Sequence, residues 1–176
     1  MEPPLILLDV DGVLNPARRS SPRLRRHTCV LDGEPQRVLL DRRHGAKLLA
    51  LARETGAELV WATRWEEQAN TEIGPRVGLP DLPVVAVAGA PSLLTGENVK
   101  TRPVAAYARR RPFVWFDDHL TAADEDYLRG HPEVGDFLLV GVDPRTGLTD
   151  GQLARARSWL TAAAARRDRS PQGSAV

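Results

Sequence analysis

Six residues of this chain have the types and spacing to do chemistry together. Asp9 and Asp11 stand two apart in Leu7-Leu8-Asp9-Val10-Asp11-Gly12-Val13-Leu14-Asn15, Thr63 ends the apolar part of Val60-Trp61-Ala62-Thr63-Arg64-Trp65, Lys100 precedes a helical stretch, and Asp117-Asp118 ends Val114-Trp115-Phe116. Carboxylates crowded together repel and raise one another's pKa unless a cation sits among them. Hard oxygen ligands with room for water and phosphate oxygens favour Mg²⁺. An ionised Asp can attack phosphorus and form an aspartyl-phosphate. A second Asp two residues on, with the backbone turned by Gly12, can serve as acid and then base. A hydroxyl and an ammonium around the transferred group would stabilise its oxygens as charge develops. Taken singly, each residue has an ordinary explanation. Asp is common in turns, Thr caps helices, Lys sits in solvated loops, and Asp117-Asp118 stands where it would cap a helix near Thr121. The weight lies in their positions.

Those positions follow from the elements. Five short apolar runs, Leu5–Leu8, Leu59–Ala62, Val84–Ala88, Phe113–Phe116 and Phe137–Val142, lack clean alternation, as strands covered on both faces do. Helical stretches separate them: His44–Glu54, Arg102–Arg110 and Thr121–Arg129. A last helix is expected from Thr149, where Thr149-Asp150-Gly151-Gln152 has capping-box form and Leu153, Ala156, Leu160 and Ala163 share one face. Strands alternating with helices predict an α/β fold, a doubly wound, Rossmann-like, mostly parallel sheet of five or more strands. In such a sheet ligands bind at the carboxyl ends of the strands, where the strand order reverses. Asp9, Thr63 and Asp117-Asp118 all fall at those ends, and Lys100 leads into the helix before the fourth strand. A further helix is expected near Trp65, so that backbone N–H groups beside Thr63 could also face a phosphate.

One segment breaks the alternation. Thr28–Leu40 holds two β-prone runs around Asp32-Gly33, a hairpin signal, and is read as a small flap within about residues 16–42. A single domain over residues 1–168 is expected, with a disordered tail beyond it, rich in Ser, Pro, Gln and Gly.

Composition narrows the class. The chain has 176 residues, 42 % of them apolar, and a formal net charge of +1, so its overall field gives no argument for nucleic acid. Lys occurs only at 47 and 100, so 22 of the 24 cations are Arg, and each Lys draws attention. The lone Cys29 excludes an intramolecular disulfide. No apolar stretch approaches membrane-spanning length, and Met1-Glu2-Pro3-Pro4 lacks the features of a signal peptide. A cytoplasmic location is expected; the oligomeric state is left open.

The set LLDVDGVLN, VWATRW, Lys100 and VWFDDHL resembles, in that order along the chain, the four motifs of the haloacid dehalogenase (HAD) superfamily of phosphohydrolases. The finer pattern, with WATRW, FDDHL and the late VDPRTGLT, is similar to HAD domains grouped with "Swiss Army Knife" RNA-repair proteins. The resemblance implies that Asp9 is nucleophile and Mg²⁺ ligand, and that Asp11 is acid and then base, with its main-chain carbonyl on the metal. It further implies that Thr63 and Lys100 hold the phosphoryl group, that Asp118 reaches the metal, and that Asp117 supports it. Dehalogenases of the superfamily lack an acid at the position of Asp11, so phosphoryl chemistry is expected. A short flap without a large cap resembles members that accept large substrates. The partner implied is a phosphorylated small molecule or nucleic-acid end, with no membrane.

Around this set, Arg18, Arg19, Arg23, Arg25 and Arg26 form the densest basic stretch, read either as a solvated flap base or as a contact for substrate phosphates. Arg64 is expected to face the substrate or else Glu66 or Glu67. Trp61, Trp65 and Trp115 are read as core, with exposure left open for Trp65 at a helix start. His119 is expected either to back the site residues or to lie at the surface, and Cys29, with no His nearby, is not a nucleophile. Two competing readings remain. One is a phosphate- or nucleic-acid-binding module with weak or no catalysis. The other, a phospho-accepting receiver domain, is disfavoured because its acidic pair comes on the first strand.

Overall fold

The computed structural model describes residues 2–87 and 96–169. Strand β1 (Leu5–Leu8) is followed by a hairpin of β2 (Arg25–Leu31) and β3 (Glu34–Leu40), helix α1 (Arg43–Thr55) and β4 (Glu58–Trp61). A π-helical turn at Ala69–Ile73 then runs into α2 (Gly74–Val77). The rest is α3 (Thr101–Ala108), β5 (Phe113–Asp117), α4 (Ala122–Gly130), β6 (Phe137–Gly141) and α5 (Asp150–Arg169).

The four-stranded sheet has the order β4-β1-β5-β6, and every neighbouring pair is parallel. All four side chains of β1 are fully buried, and they divide between two cores. Ile6 and Leu8 pack with Trp61, Phe116, Leu48 of α1 and Leu160 of α5, while Leu5 and Leu7 pack with Trp115, Val104 of α3 and Leu128 of α4. The uninterrupted apolar run is therefore the mark of a strand covered on both faces. Burying each such side chain contributes roughly 1.5–3 kcal/mol. The expected face of α5, Leu153, Ala156, Leu160 and Ala163, is buried, and the Thr149–Gln152 capping box forms.

The chain leaves β1 towards β4 on one side and returns to β5 on the other, so the order reverses between β1 and β5. In register, Leu8 lies opposite Phe116, which sets Asp9 beside Asp117 at the crevice where a doubly wound sheet binds ligands.

Two expectations need correction. Among the described residues the run from Val84 makes only a single bridge, Val84 to Trp61, so the sheet has four strands there and not five. Val85 N donates to Trp61 O, but the next available amide, Val87 N, is captured by the Glu66 side chain at 2.6 Å, and β4 has already ended. Ala88 lies outside the described residues. Nor does an α-helix start at Trp65: residues 64–67 form turns, with Glu66 at φ +44°, and helical backbone begins just before Ala69.

The hairpin forms around Asp32-Gly33 as expected, both residues having positive φ. It is not a loose lid. Cys29, Leu31, Val38 and Leu40 are buried in the larger core, and Val30 N and Asp32 N donate to the side chains of Glu72 and Gln68. Nothing larger than this hairpin is inserted after β1. Among the described residues no helix is long and apolar enough to cross a membrane. The tail is expected from residue 169, but α5 runs to Arg169, and residues 170–176 lie outside the described residues.

Candidate active site

Asp9 follows β1, and its amide continues the sheet by donating to Phe116 O at 3.1 Å. The carboxylate is 4 % exposed; Oδ1 accepts from Val10 N at 2.7 Å, and Oδ2 takes a hydrogen bond from Lys100 Nζ at 2.6 Å. The same ammonium lies 2.5 Å from Oδ2 of the fully buried Asp117. That contact is an ion pair without hydrogen-bond alignment, since Asp117 Oδ2 has no hydrogen-bond donor. One cation is thus shared by two buried carboxylates, which leaves a buried excess of negative charge.

The protonation equilibria follow from that arrangement. Burial pushes the Asp9 carboxyl up to about 7, with Lys100 pulling it down and Asp117 pushing it further up. Burial works against the Lys100 ammonium, but Asp9 and Asp117 outweigh it and hold its pKa above the ordinary value. Lys100 stays charged, and the site as drawn is short of one positive charge.

Asp118 supplies the next carboxylate. It lies against Gly12, whose φ is +72°; a Cβ built there would sit 2.3 Å from Asp118 Oδ2. Gly12 is therefore required twice, by its conformation and by the approach of the carboxylate. Gly12→Ala is expected to cost about 1–3 kcal/mol by strain and overpacking. Urea melts check this, and Asp118→Ala in the same chain should restore part of the loss. A Gly12→Ala protein as stable as the parent would disprove the packing.

Asp11 is held from three sides. Oδ1 accepts from Asn15 Nδ2 at 2.9 Å, Oδ2 accepts from Trp65 Nε1 at 3.0 Å, and Arg64 Nε lies 3.9 Å from Oδ2. Arg64 thus faces the site and not Glu66 or Glu67. Trp65 is 2 % exposed, so of its two readings the core one holds, and it is a buried donor to Asp11. Thr63 is fully buried just past β4, and its Oγ1 accepts from Trp65 N at 3.4 Å. Asp9, Asp11, Arg64, Lys100 and Asp118 share one cleft of about 570 Å³; Thr63, expected to hold the phosphoryl group, is not among the residues that line it.

Three residues outside the expected set complete the framework. Asn98 donates from Nδ2 to Asp117 Oδ1 at 3.1 Å and accepts from Lys100 N at 3.0 Å, so it aligns the buried pair. Asp124, fully buried, takes hydrogen bonds from Asn98 N, Thr101 Oγ1 and Thr121 N, which fixes the Lys100 loop to the start of α4. Asn15 donates to Asp11 and accepts from Leu39 N at 2.8 Å, tying the flap to the catalytic loop. A signal for the second was present, since Thr121-Ala122-Ala123-Asp124 has capping-box form.

Asp117, Asp118 and His119 bring ligand atoms within 4.8 Å of one another and could hold a metal. His119 Nδ1 lies 2.7 Å from Asp118 Oδ1, with its ring largely exposed. The all-oxygen donors of Asp9 and Asp118, next to a deficit of positive charge, suit a hard divalent cation better than a soft one.

A family model described as the HAD domain in Swiss Army Knife RNA repair proteins matches residues 5–153. Comparisons with curated proteins and with solved structures find no match.

Proposed function

This chain belongs to the family of HAD domains found in Swiss Army Knife RNA-repair proteins, and from that premise we propose that it is a Mg²⁺-dependent phosphomonoester hydrolase acting through an aspartyl-phosphate on Asp9. The family makes it a HAD-type hydrolase. The observation that supports the finer reading is the buried Asp9–Lys100–Asp117 group at the sheet's switch point, one positive charge short.

An Asp9 oxygen attacks phosphorus as the P–O bond to the leaving group breaks, and Asp11 gives the leaving oxygen its proton. Water then attacks the phosphorus, Asp11 takes up the water's proton, and the bond from Asp9 to phosphorus breaks to release inorganic phosphate. Lys100 and Arg64 hold the phosphoryl oxygens, and the buried Thr63 fixes the turn that carries Arg64 and Trp65 by accepting from Trp65 N. Mg²⁺, when held by the carboxylates of Asp9 and Asp118 and the main-chain carbonyl of Asp11, supplies the missing positive charge that keeps Asp9 ionised and neutralises the phosphoryl oxygens. Asp117 takes no part in binding the substrate; it fixes Lys100. The substrate class that fits the family is a nucleotide or a phosphorylated nucleic-acid end.

The purified protein is expected to release phosphate from an aryl phosphate and from a 3′-phosphorylated oligonucleotide with Mg²⁺. A chelator should reduce release to background and added Mg²⁺ restore it. Undiminished turnover in the chelator would remove the metal from the mechanism. Tight binding of nucleic-acid ends without release from any phosphomonoester would favour the binding-module reading, which the basic flap suggests.

A further inference from the structure

Two arginines of the flap stand beside the reacting groups, and the chemistry assigned to Asp9 uses neither. In the hairpin register Arg26 lies opposite Leu39 and Thr28 opposite Arg37, so Arg26 and Arg37 occupy diagonal positions on one face. That face forms one wall of a groove of about 840 Å³, whose other wall includes Asp11, Gly12, Asn15 and Asp118. The groove and the Asp9 cleft share Asp11 and Asp118. A substrate with its phosphoryl group at Asp9 and its leaving oxygen at Asp11 therefore extends its remaining part into the groove.

The charges in the groove are divided. Carboxylates lie on the loop side and guanidinium groups on the flap side. Neither Arg26 nor Arg37 has an ion-pair or hydrogen-bond partner for its guanidinium among the described residues, and both are exposed. Arg19 and Arg25 direct their guanidinium groups to Pro22 O and Arg145 pairs with Asp143, so these neighbours are engaged elsewhere; what sets Arg26 and Arg37 apart from the other arginines is their place on the groove wall. Two like charges at diagonal cross-strand positions repel, and an anion between them relieves this. The planar fork of Arg matches two phosphate oxygens at once. The wall carrying them is fixed, since the opposite face of the hairpin is buried and Asn15 links Leu39 to Asp11.

We propose that Arg26 and Arg37 form a second anion subsite, which binds a phosphate carried by the leaving group. Preferred substrates then carry two phosphates, one transferred to Asp9 and one held on the flap. The basic stretch legible in the sequence contributes through Arg26 alone; the partner, Arg37, comes from the other strand. This assignment rests on the hydrolase reading for its direction of substrate entry.

A nucleoside 3′,5′-bisphosphate is the natural probe, because whichever phosphate meets Asp9, the other sits on the leaving group. Its kcat/KM is compared with that of an aryl phosphate for the parent, Arg26→Ala and Arg37→Ala. Each substitution is expected to lower the ratio in favour of the bisphosphate about tenfold or more, chiefly through KM, and to flatten its salt dependence. Arg25→Ala, on the opposite face, should leave the ratio within twofold. Ratios for Arg26→Ala and Arg37→Ala within twofold of the parent would overturn the subsite.

Binding separates this outcome from failure of the hydrolase reading. In Asp9→Asn protein, calorimetric titration should show the bisphosphate binding more tightly than the corresponding nucleoside monophosphate, a preference that Arg37→Ala removes. Absence of turnover on every substrate would defeat the hydrolase, and this titration alone would then decide the subsite. No preference for the bisphosphate would overturn it.

Discussion

Asp9→Asn is expected to lower phosphate release by about four orders of magnitude or more and, in the metal-free protein at pH 8, to raise the melting temperature. The first effect follows from the chemistry, since a carboxamide oxygen is a poor nucleophile towards phosphorus and cannot carry the negative charge that Mg²⁺ requires. The second follows from burial. The Asp9 carboxyl is pushed up to about 7 from an ordinary value of 3.8, mainly by desolvation. The folded protein thus binds its proton more tightly than the unfolded chain does. For an acid with a raised folded pKa, stability is greatest at low pH, falls as pH rises from about 4 towards 7, and is then level. The shift corresponds to a cost of about 4 kcal/mol at pH 8. Asn carries no charge and avoids this cost, although Lys100 loses one of its two partners. Thermal melts in chelator at pH 5 and pH 8 test the sign: the parent should lose more stability than Asp9→Asn between the two values. Equal pH dependence would mean that Asp9 is not strained by burial, and full activity in Asp9→Asn would remove it as the nucleophile.

That tension between stability and reactivity explains why the site was partly legible in the sequence. Asp9, Asp117 and Thr63 each end or follow an apolar strand, and strand ends can be read from local pattern alone. Lys100 was conspicuous because the chain otherwise uses Arg. The roles of Trp65, Asn15 and Asn98 were not legible, because each depends on a partner far along the chain. Trp65 reaches Asp11 across 54 positions, and Asn15 reaches Leu39 across 24. Local pattern places Trp65 at a helix start, and the tight turn at Glu66 overrides it. The strand expected at Val84 shows the same limit from the other direction: its composition suits a sheet, but β4 ends at Trp61, so a single bridge forms and no ladder follows. Likewise Arg37 is isolated in sequence, and only the hairpin register brings it to the side of Arg26.

Lys100→Met should have the largest effect on stability. Met matches the length and apolar stem of Lys but removes the ammonium that lies 2.6 Å from Asp9 and 2.5 Å from Asp117. Two buried carboxylates then face each other with no cation, and breaking a buried pair in this way costs about 3–5 kcal/mol. The loss should depend on pH with a definite sign. In the parent, the raised pKa of Lys100 means that its contribution is complete below about 10.5, the ordinary lysine value, and is lost only above that. The substituted protein can recover only by protonating a carboxylate, so the difference between the two should be small near pH 4 and reach its full size by pH 8. A second substitution separates charge from packing: Asp117→Asn in the Lys100→Met background should return a large part of the stability, whereas it should destabilise the parent by leaving an unpaired amide beside the ammonium. Mg²⁺ should also return part of it by lending Asp9 a different cation, without restoring the activity that needs Lys100 on the phosphoryl group. Denaturant melts of the four proteins of this cycle, with and without Mg²⁺, measure each of these effects. A loss below about 1 kcal/mol, or one equal at pH 4 and pH 8, would show that the ammonium does not hold the two carboxylates together.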